Sequence, residues 1–401
     1  MENDILVFFD CADEIRKTVS PENVSGFKYI GLEHIEQDTL HLNGYGAVED
    51  VSSAKALFSK GDILFGKLRP YFRKVVRAPF DGVCSTDIWI VRAKNGIDQG
   101  FLYYWMASQE FVNFSMQGSE GTKMPRAKWE HVGKHVIPFF DESEQRAIAY
   151  ILSILDDKIE LNLQMNKTLE SIAQALFKSW FMDFDPVRAK MEGREPEGMD
   201  ADTAALFPDG FEESELGLVP RGWRVGKVEQ LLELVYGKAL RASDRTSGFI
   251  PVYGSGGIIG YHNKALVEEP SIVIGRKGTV GSLYWEDQPF FPIDTVFYVK
   301  SNKPLTYCFY QLQRLGLNEM NTDGAVPGLN RGNVSRLPLI FPLNEIIIKF
   351  DEIVLPLRNK ISSNLKQVHV LSTLRDTLLP RLISGQLRLP EAEAAMEAVL
   401  T

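Results

Sequence analysis

Residues 60–77 gather six cations, Lys60, Lys67, Arg69, Arg73, Lys74 and Arg77, against the single acid Asp62, with Phe65, Tyr71 and Phe72 among them. Ammonium and guanidinium groups neutralise phosphates, and arginine can also present paired N–H donors to a guanine edge in the major groove. A second cluster, Lys123, Arg126, Lys128 and Lys134, surrounds the glycine-rich stretch 118–121. The second half of the chain offers Lys238, Arg241, Arg245, Arg276, Lys277 and Arg331, with the amide of Asn330 beside them. Any one of these side chains is equally well explained as a solvated surface charge. A cation directly after glycine in both halves, Lys67 after Gly66 and Arg276 after Gly275, tilts the set toward nucleic acid.

The usual catalytic patterns are missing. The segment Gly275-Arg276-Lys277-Gly278 lacks the lysine of a phosphate-binding loop. Gly254-Ser255-Gly256-Gly257-Ile258-Ile259-Gly260 follows a strand-like run, but no helix follows it and no acid stands about 20 residues on to hold a ribose. A hairpin or loop is the better reading. No Asn-Pro-Pro-aromatic or Asp-Pro-Pro-aromatic methyltransferase motif occurs. His131 and His135 are four apart but lack the glutamate of a zinc protease helix, so packing or exposure outweighs metal. Asp87 and Asp294 recur before apolar strands, where a structural turn or cap outweighs a nuclease carboxylate. Cys11, Cys84 and Cys308 stand far apart and read as small buried hydrophobes of a reducing compartment.

These residues are set in a chain that is written twice. Shifted by 202 positions, Leu155, Lys158, Ile159, Asn162, Leu163, Leu169 and Leu176 fall on Leu357, Lys360, Ile361, Asn364, Leu365, Leu371 and Leu378, seven identities in 22 positions. With small gaps the match extends upstream. His135-Val136-Ile137-Pro138 meets Leu339-Ile340-Phe341-Pro342, Asp87 meets Asp294, and Gly66 meets Gly275. Gly121 and Met124-Pro125-Arg126 meet Gly324 and Gly328-Leu329-Asn330. The unit of duplication is about 200 residues, in the range of a single domain.

Each unit has a mixed front with short strand-like runs and a helical back. The α+β (mixed α/β) fronts carry turn signals such as Asn43-Gly44 and Asp81-Gly82. In the first back, Ile148, Leu152, Leu155, Ile159, Asn162, Asn166, Leu169, Ala173, Leu176 and Trp180 recur at 4-3-4-3 spacing, a heptad seam. The second seam is Phe350, Val354, Leu357, Ile361, Asn364, Val368, Leu371, Arg375, Leu378 and Leu382, with Pro356 expected to kink or delay its helix. Helices of this length span about 50–55 Å. The expectation is an antiparallel coiled coil, with Asn162 and Asn364 buried to fix register and a globular domain at each end.

The net charge of −9 speaks against a nucleic-acid binder at face value. Its distribution withdraws that objection. Residues 183–216 carry eleven acids and three bases, Glu391, Glu393 and Glu397 add three more acids, and the remainder sums to +2. No apolar run approaches the roughly 20 residues that span a bilayer. The acidic first 16 residues do not form a signal peptide, so a cytoplasmic protein is expected.

With the duplication, the paired helices and the missing catalytic motifs together, the chain resembles the specificity subunit of type I restriction–modification systems. The resemblance covers essentially the whole length. It is carried by Gln145-Arg146-Ala147-Ile148, Leu155-Asp156-Asp157-Lys158-Ile159 and Gln174-Ala175-Leu176-Phe177-Lys178-Ser179-Trp180-Phe181 running into Phe184-Asp185-Pro186-Val187. Pro220-Arg221-Gly222-Trp223 and Leu374-Arg375-Asp376-Thr377-Leu378-Leu379-Pro380-Arg381-Leu382-Ile383-Ser384-Gly385 complete it. The first copy begins at Met1 without an equivalent of Pro220-Arg221-Gly222-Trp223.

The resemblance implies a non-catalytic subunit that reads a split, asymmetric site on double-stranded DNA. It implies target-recognition domains over residues 1–140 and 223–342, spacer helices over 141–182 and 343–386, an acidic connector over 183–222 and an acidic tail over 387–401. The implied partners are two methyltransferase subunits, which would hold S-adenosylmethionine, and restriction/translocase subunits. No cofactor, metal or membrane is expected on this chain.

The expected DNA-binding set is Lys67, Arg69, Arg73, Lys74, Arg77, Lys123, Arg126 and Lys128 in the first copy. In the second it is Arg241, Arg245, Arg276, Lys277, Asn330 and Arg331. The alternative, a stand-alone nuclease or methyltransferase with a divergent site, needs a catalytic constellation that the sequence does not offer. A coiled-coil scaffold without a DNA role leaves the basic clusters and the duplicated domains unexplained.

Overall fold

The computed structural model describes residues 5–121, 123–320 and 328–400. Gly324, matched above with Gly121, lies outside the described residues. The chain divides into two compact units, one comprising Met1–Gln164 with Asn364–Thr401, the other Met165–Ser363.

In the first unit the apolar run Ile63–Gly66 is the third strand of a four-stranded antiparallel sheet, in the order Ala12–Glu14, Ile88–Ala93, Ile63–Gly66, Val75–Arg77. All four of its residues are buried because the sheet is covered on both faces. Alternate side chains go to opposite sides, as the two-residue period of a strand requires. Ile63, Phe65, Trp89 and Val91 pack into one core with the helix Gln99–Ala107, whereas Leu64, Val76, Ile88 and Ile90 pack into another. A five-stranded sheet, Thr18–Val19, Lys55–Phe58, Gly82–Cys84, Lys28–Ile30 and Gly46–Ala47, completes the domain.

The second unit repeats the four-stranded sheet in the order Glu233–Tyr236, Val296–Lys300, Ser271–Gly275, Leu283–Glu286. Ile272, Ile274, Phe297 and Val299 face one core, and Val273, Val296 and Tyr298 the other. Another of its sheets has three strands, Gly257–His262, Ile250–Gly254 and Phe291–Pro292. The glycine-rich run 254–260 is thus the turn and second strand of a hairpin, with Gly254 opposite Gly257.

Matching backbone bonds fix the internal alignment segment by segment. Ala127 N–H donates to Lys67 O and Leu329 N–H donates to Arg276 O, while Ile137 pairs with Leu6 and Leu339 with Gly226. One offset of 202 therefore holds from Ala127 into the helices, two residues away from the gapped match upstream. Lys67 N–H donates to Asp87 O and Arg276 N–H to Thr295 O, so Asp87 corresponds to Thr295, one residue beyond Asp294. At the amino end Glu14 pairs with Val91 and Leu234 with Val299, an offset of 220.

Two long helices, Glu142–Lys178 and Asn344–Ile383, each contribute to both units. Asp141 opens the first with a reciprocal cap. It accepts from Glu144 N–H at 2.8 Å, and its own N–H donates to the Glu144 carboxylate at 3.0 Å. The second begins at Asn344 and runs continuously through Pro356, so its start is not delayed there. In the first unit Asp156 meets Arg375 and Asn162 donates to Gln367 at 2.9 Å, and numbers that fall on one helix as they rise on the other make the pair antiparallel. Leu155, Ile159, Leu371 and Leu378 are buried in the seam of that unit, together with Asn162 and Asn364. In the second unit Leu169, Leu176 and Leu357 are half-buried and Ile361 is buried.

The acidic segments are folded. Residues 183–222 form the helices Asp185–Met191 and Ala201–Ala205 and the hairpin Phe211–Ser214/Gly217–Pro220, and they bury Val187, Phe207 and Val219. Their acids stay outward or cap helices, as Asp200 does by accepting from Thr203 N–H at 2.9 Å. In the carboxy-terminal helix Leu389–Leu400, Ala392 and Met396 enter the core of the first unit.

Candidate nucleic-acid interface

In the first unit the strand Ile63–Gly66 ends at a glycine whose Cβ, if present, would stand 2.8 Å from the Leu32 side chain and 3.3 Å from the Lys74 carbonyl. The chain passes close and delivers Lys67 onto the rim of a cleft of about 460 Å³. Lys67, Arg126 and Lys128 line this cleft together with Arg16, Lys17 and the indoles of Trp89 and Trp129. Arg126 is held by Asp87 at 3.1 Å, Lys128 by Glu120 and Arg16 by Glu14 at 2.5 Å. Lys17 and Lys67 have no ion-pair partner among the described residues. Lys123 is exposed on the loop before Arg126.

The rest of the basic segment is differently placed. Arg69 and Arg73 both take the left-handed backbone conformation, at φ of 51° and 47°, and bracket the turn Pro70–Phe72. Residues other than glycine hold that conformation at a cost of about 1 kcal/mol or more, so the surroundings must impose it. Arg69 N–H donates to Pro125 O at 2.7 Å. Arg73 is buried, and its guanidinium donates to Ala107 O at 2.7 Å and to Asp376 at 3.1 Å. Lys74 donates to Leu32 O at 2.5 Å, and burial lowers its pKa. Arg77 is exposed on the outer strand of the sheet. Of the segment's cations, only Lys67 joins Arg126 and Lys128 at the cleft.

In the second unit Arg276 occupies the place of Lys67. A Cβ on Gly275 would fall 2.1 Å from Thr279 O, which again demands glycine. The Arg276 guanidinium lies 4.9 Å from the centre of the Tyr236 ring and 5.8 Å from that of Phe297, and donates to Asp294 O at 2.9 Å. Arg331 approaches the Tyr236 ring at 5.9 Å and pairs with Glu233 at 3.4 Å. Asn330 caps the helix Arg331–Ser335 by accepting from Asn333 N–H at 3.1 Å. Lys277 and Arg241 are exposed, whereas Arg245 donates to Ile259 O at 2.8 Å across the hairpin.

Arg16, Lys17, Trp129 and Tyr236 were not singled out in the sequence. Their signal is positional. Arg16 and Tyr236 correspond through the offset of 220, which rests on strand pairing and not on shared residues.

The remaining reactive side chains are engaged in packing. His135 accepts from Trp105 Nε1–H at 2.9 Å, and its pKa falls to about 4 through burial. His131 stacks on Phe114. Burial pushes the Cys84 thiol up to about 12 and those of Cys11 and Cys308 to about 11, far from nucleophilic reactivity. Among the described residues no cluster of metal-ligating side chains is present, and no helix is long and apolar enough to cross a membrane.

A family model described as the type I restriction modification DNA specificity domain matches residues 9–171 and again 220–373. The chain belongs to that family. Relatives include the HindI specificity subunit of Haemophilus influenzae, 28% identical over 83% of this chain and 88% of the relative. Another is the MjaIX specificity subunit of Methanocaldococcus jannaschii, 28% identical over 93% of this chain and 87% of the relative. A crystal structure of the S subunit from M. genitalium shares the fold, with a TM-score of 0.59, 18% identity and coverage of 95% of this chain and 96% of that one. As a type I specificity subunit the chain selects DNA sequence and contributes no catalytic step, in association with modification and restriction subunits.

Proposed function

We infer that each unit reads one half of a bipartite, asymmetric DNA site, the domains being residues 1–140 and 223–342. The recurrence of cations at one place in two otherwise divergent frameworks, Lys67 and Arg276 on matched glycines, carries this reading. Different residues around a common scaffold are what different half-sites require. Lys67, Arg69, Arg77, Lys123, Arg126 and Lys128 of the first unit are the DNA contacts, with Arg241, Arg245, Arg276, Lys277, Asn330 and Arg331 of the second. Arg73 and Lys74 hold the turn between them in place.

The spacer helices, residues 141–182 and 343–386, set the number of unread base pairs and dock two methyltransferase subunits. S-adenosylmethionine sits on those subunits, and the restriction subunits join the assembly in the cytoplasm. The acidic segments 183–222 and 387–401 add little to DNA affinity, so the partners supply much of the phosphate grip. Methylome sequencing of cells with and without this gene, in the presence of the active methyltransferase, tests the reading. Loss of adenine methylation at one bipartite motif is expected, and unchanged methylation with this chain expressed overturns it.

A further inference from the structure

Three positions coincide between the units once the backbone bonds are matched. Arg16 corresponds to Tyr236, because Glu14 and Leu234 pair with Val91 and Val299 two residues earlier. Lys67 corresponds to Arg276, and Trp129 to Arg331, two residues beyond the Ala127 and Leu329 bonds. Beneath each trio lies an aromatic ring of the same strand, Trp89 in one unit and Phe297 in the other. Trp129 meets Trp89 edge-on at 5.4 Å, and Tyr236 meets Phe297 edge-on at 4.9 Å.

Both units thus place two cations and one further aromatic ring over an aromatic floor. The ring and the cations have exchanged positions between them. In the second unit Arg276 and Arg331 both lie over the Tyr236 ring, 4.9 and 5.9 Å from its centre. Tyr236 is 46% exposed, so the ring that holds the two arginines faces solvent.

A guanidinium held against an aromatic ring loses little rotamer freedom on binding and keeps its N–H edge for a planar acceptor. A phosphate contact gives affinity without sequence information, whichever cation makes it. Two arginines held over one tyrosine ring suit a base edge, such as guanine N7 and O6. In the first unit the ring at this place is Trp129 and the cations are Arg16 and Lys67, so the contact offered there differs in shape and donors.

Resting on the reading of one half-site per unit, we propose that these matched trios, Arg16–Lys67–Trp129 and Tyr236–Arg276–Arg331, are the specificity-determining sites, each discriminating a base pair in its own half of the target. The side chains of the trio differ between the domains, while the glycine and backbone bonds that carry them stay the same.

The test uses the full chain assembled with its methyltransferase and redetermines the methylated motif for Arg331→Ala, Tyr236→Ala and Arg16→Ala, with Tyr236→Phe as the variant that keeps the ring. Melting temperatures establish that each variant is folded. Arg331→Ala and Tyr236→Ala are expected to relax one base pair in one half of the motif, by roughly 10- to 100-fold in discrimination. Arg16→Ala should relax the opposite half, and Tyr236→Phe should retain the motif. Folded variants that keep both halves unchanged, or that lose methylation equally at every sequence, overturn the proposal. A parent complex whose motif does not depend on this chain overturns the half-site reading itself.

Discussion

Arg375 of the second long helix, 1% exposed, donates to Asp156 of the first at 2.8 Å. The same guanidinium reaches Thr39 O at 2.9 Å and Asp376 at 3.1 Å, and Tyr104 donates to the other oxygen of Asp156 at 2.8 Å. The first domain is thereby tied to both helices. The second unit holds a counterpart, in which Arg358 donates to Glu170 at 2.7 Å and Tyr310 donates to that carboxylate at 3.2 Å. Asp156 and Arg358 are equivalent in the repeat, so the charge has been inverted. In both units the acid sits on the first helix and the arginine on the second. Buried charge pairs add little over apolar packing but penalise wrong pairings strongly, which suits two related helices that must pair with each other. Arg375→Ala leaves the Asp156 carboxylate without its cationic partner and the Thr39 carbonyl without its donor, while Asp376 keeps Arg73, and a loss of about 3–5 kcal/mol is expected in denaturant unfolding of the first unit.

The pH dependence of stability should include His135. Burial holds its folded pKa at about 4, below the ordinary value of 6.5, so the native state favours the neutral ring. The unfolded chain binds the proton more readily. Stability is therefore fully present above pH 6.5 and is lost as pH falls toward 4. The expected outcome is a melting temperature that declines over this window and declines less in His135→Gln, which keeps an acceptor for Trp105 without a titrating ring.

The two matched glycines offer a local test of the scaffold. Gly275→Ala places a methyl group 2.1 Å from a backbone carbonyl, which cannot move without opening the turn that carries Arg276. Loss of sequence selection with retained far-UV dichroism is expected. A glycine without such neighbours, such as Gly193 in the second unit, makes a control, and its left-handed conformation at φ 69° calls for Asn instead of Ala.

The helical half of this architecture was legible in the sequence because a heptad seam is a property of local spacing. Leu155, Ile159, Leu371 and Leu378 announce their burial without reference to the rest of the chain. The cations were only partly legible. Nothing in the spacing of Arg73 distinguishes it from Lys67, yet its left-handed backbone turns it into the protein, toward Ala107 and Asp376, residues far away in the chain. Arg16 and Tyr236 are not legible in the sequence for the opposite reason. They share a place in a sheet, and strand pairing preserves position while the side chains diverge.

That difference between Arg73 and the cleft cations leads to contrasting outcomes in DNA binding. Each phosphate contact removed should flatten the dependence of log affinity on log salt by about 0.9. Lys67→Ala and Lys128→Ala, both on the cleft rim, are expected to lower the slope of the assembled complex by up to that amount each while leaving the melting temperature unchanged. Arg73→Ala should do the reverse. Its guanidinium is already committed to Ala107 and Asp376, so its removal leaves buried partners unsatisfied and lowers the melting temperature, with the salt slope of the surviving folded protein unaltered. Fluorescence anisotropy of a labelled duplex over a salt series, read beside thermal melts, separates the two. A flattened slope in Arg73→Ala would place that residue on the DNA despite its burial.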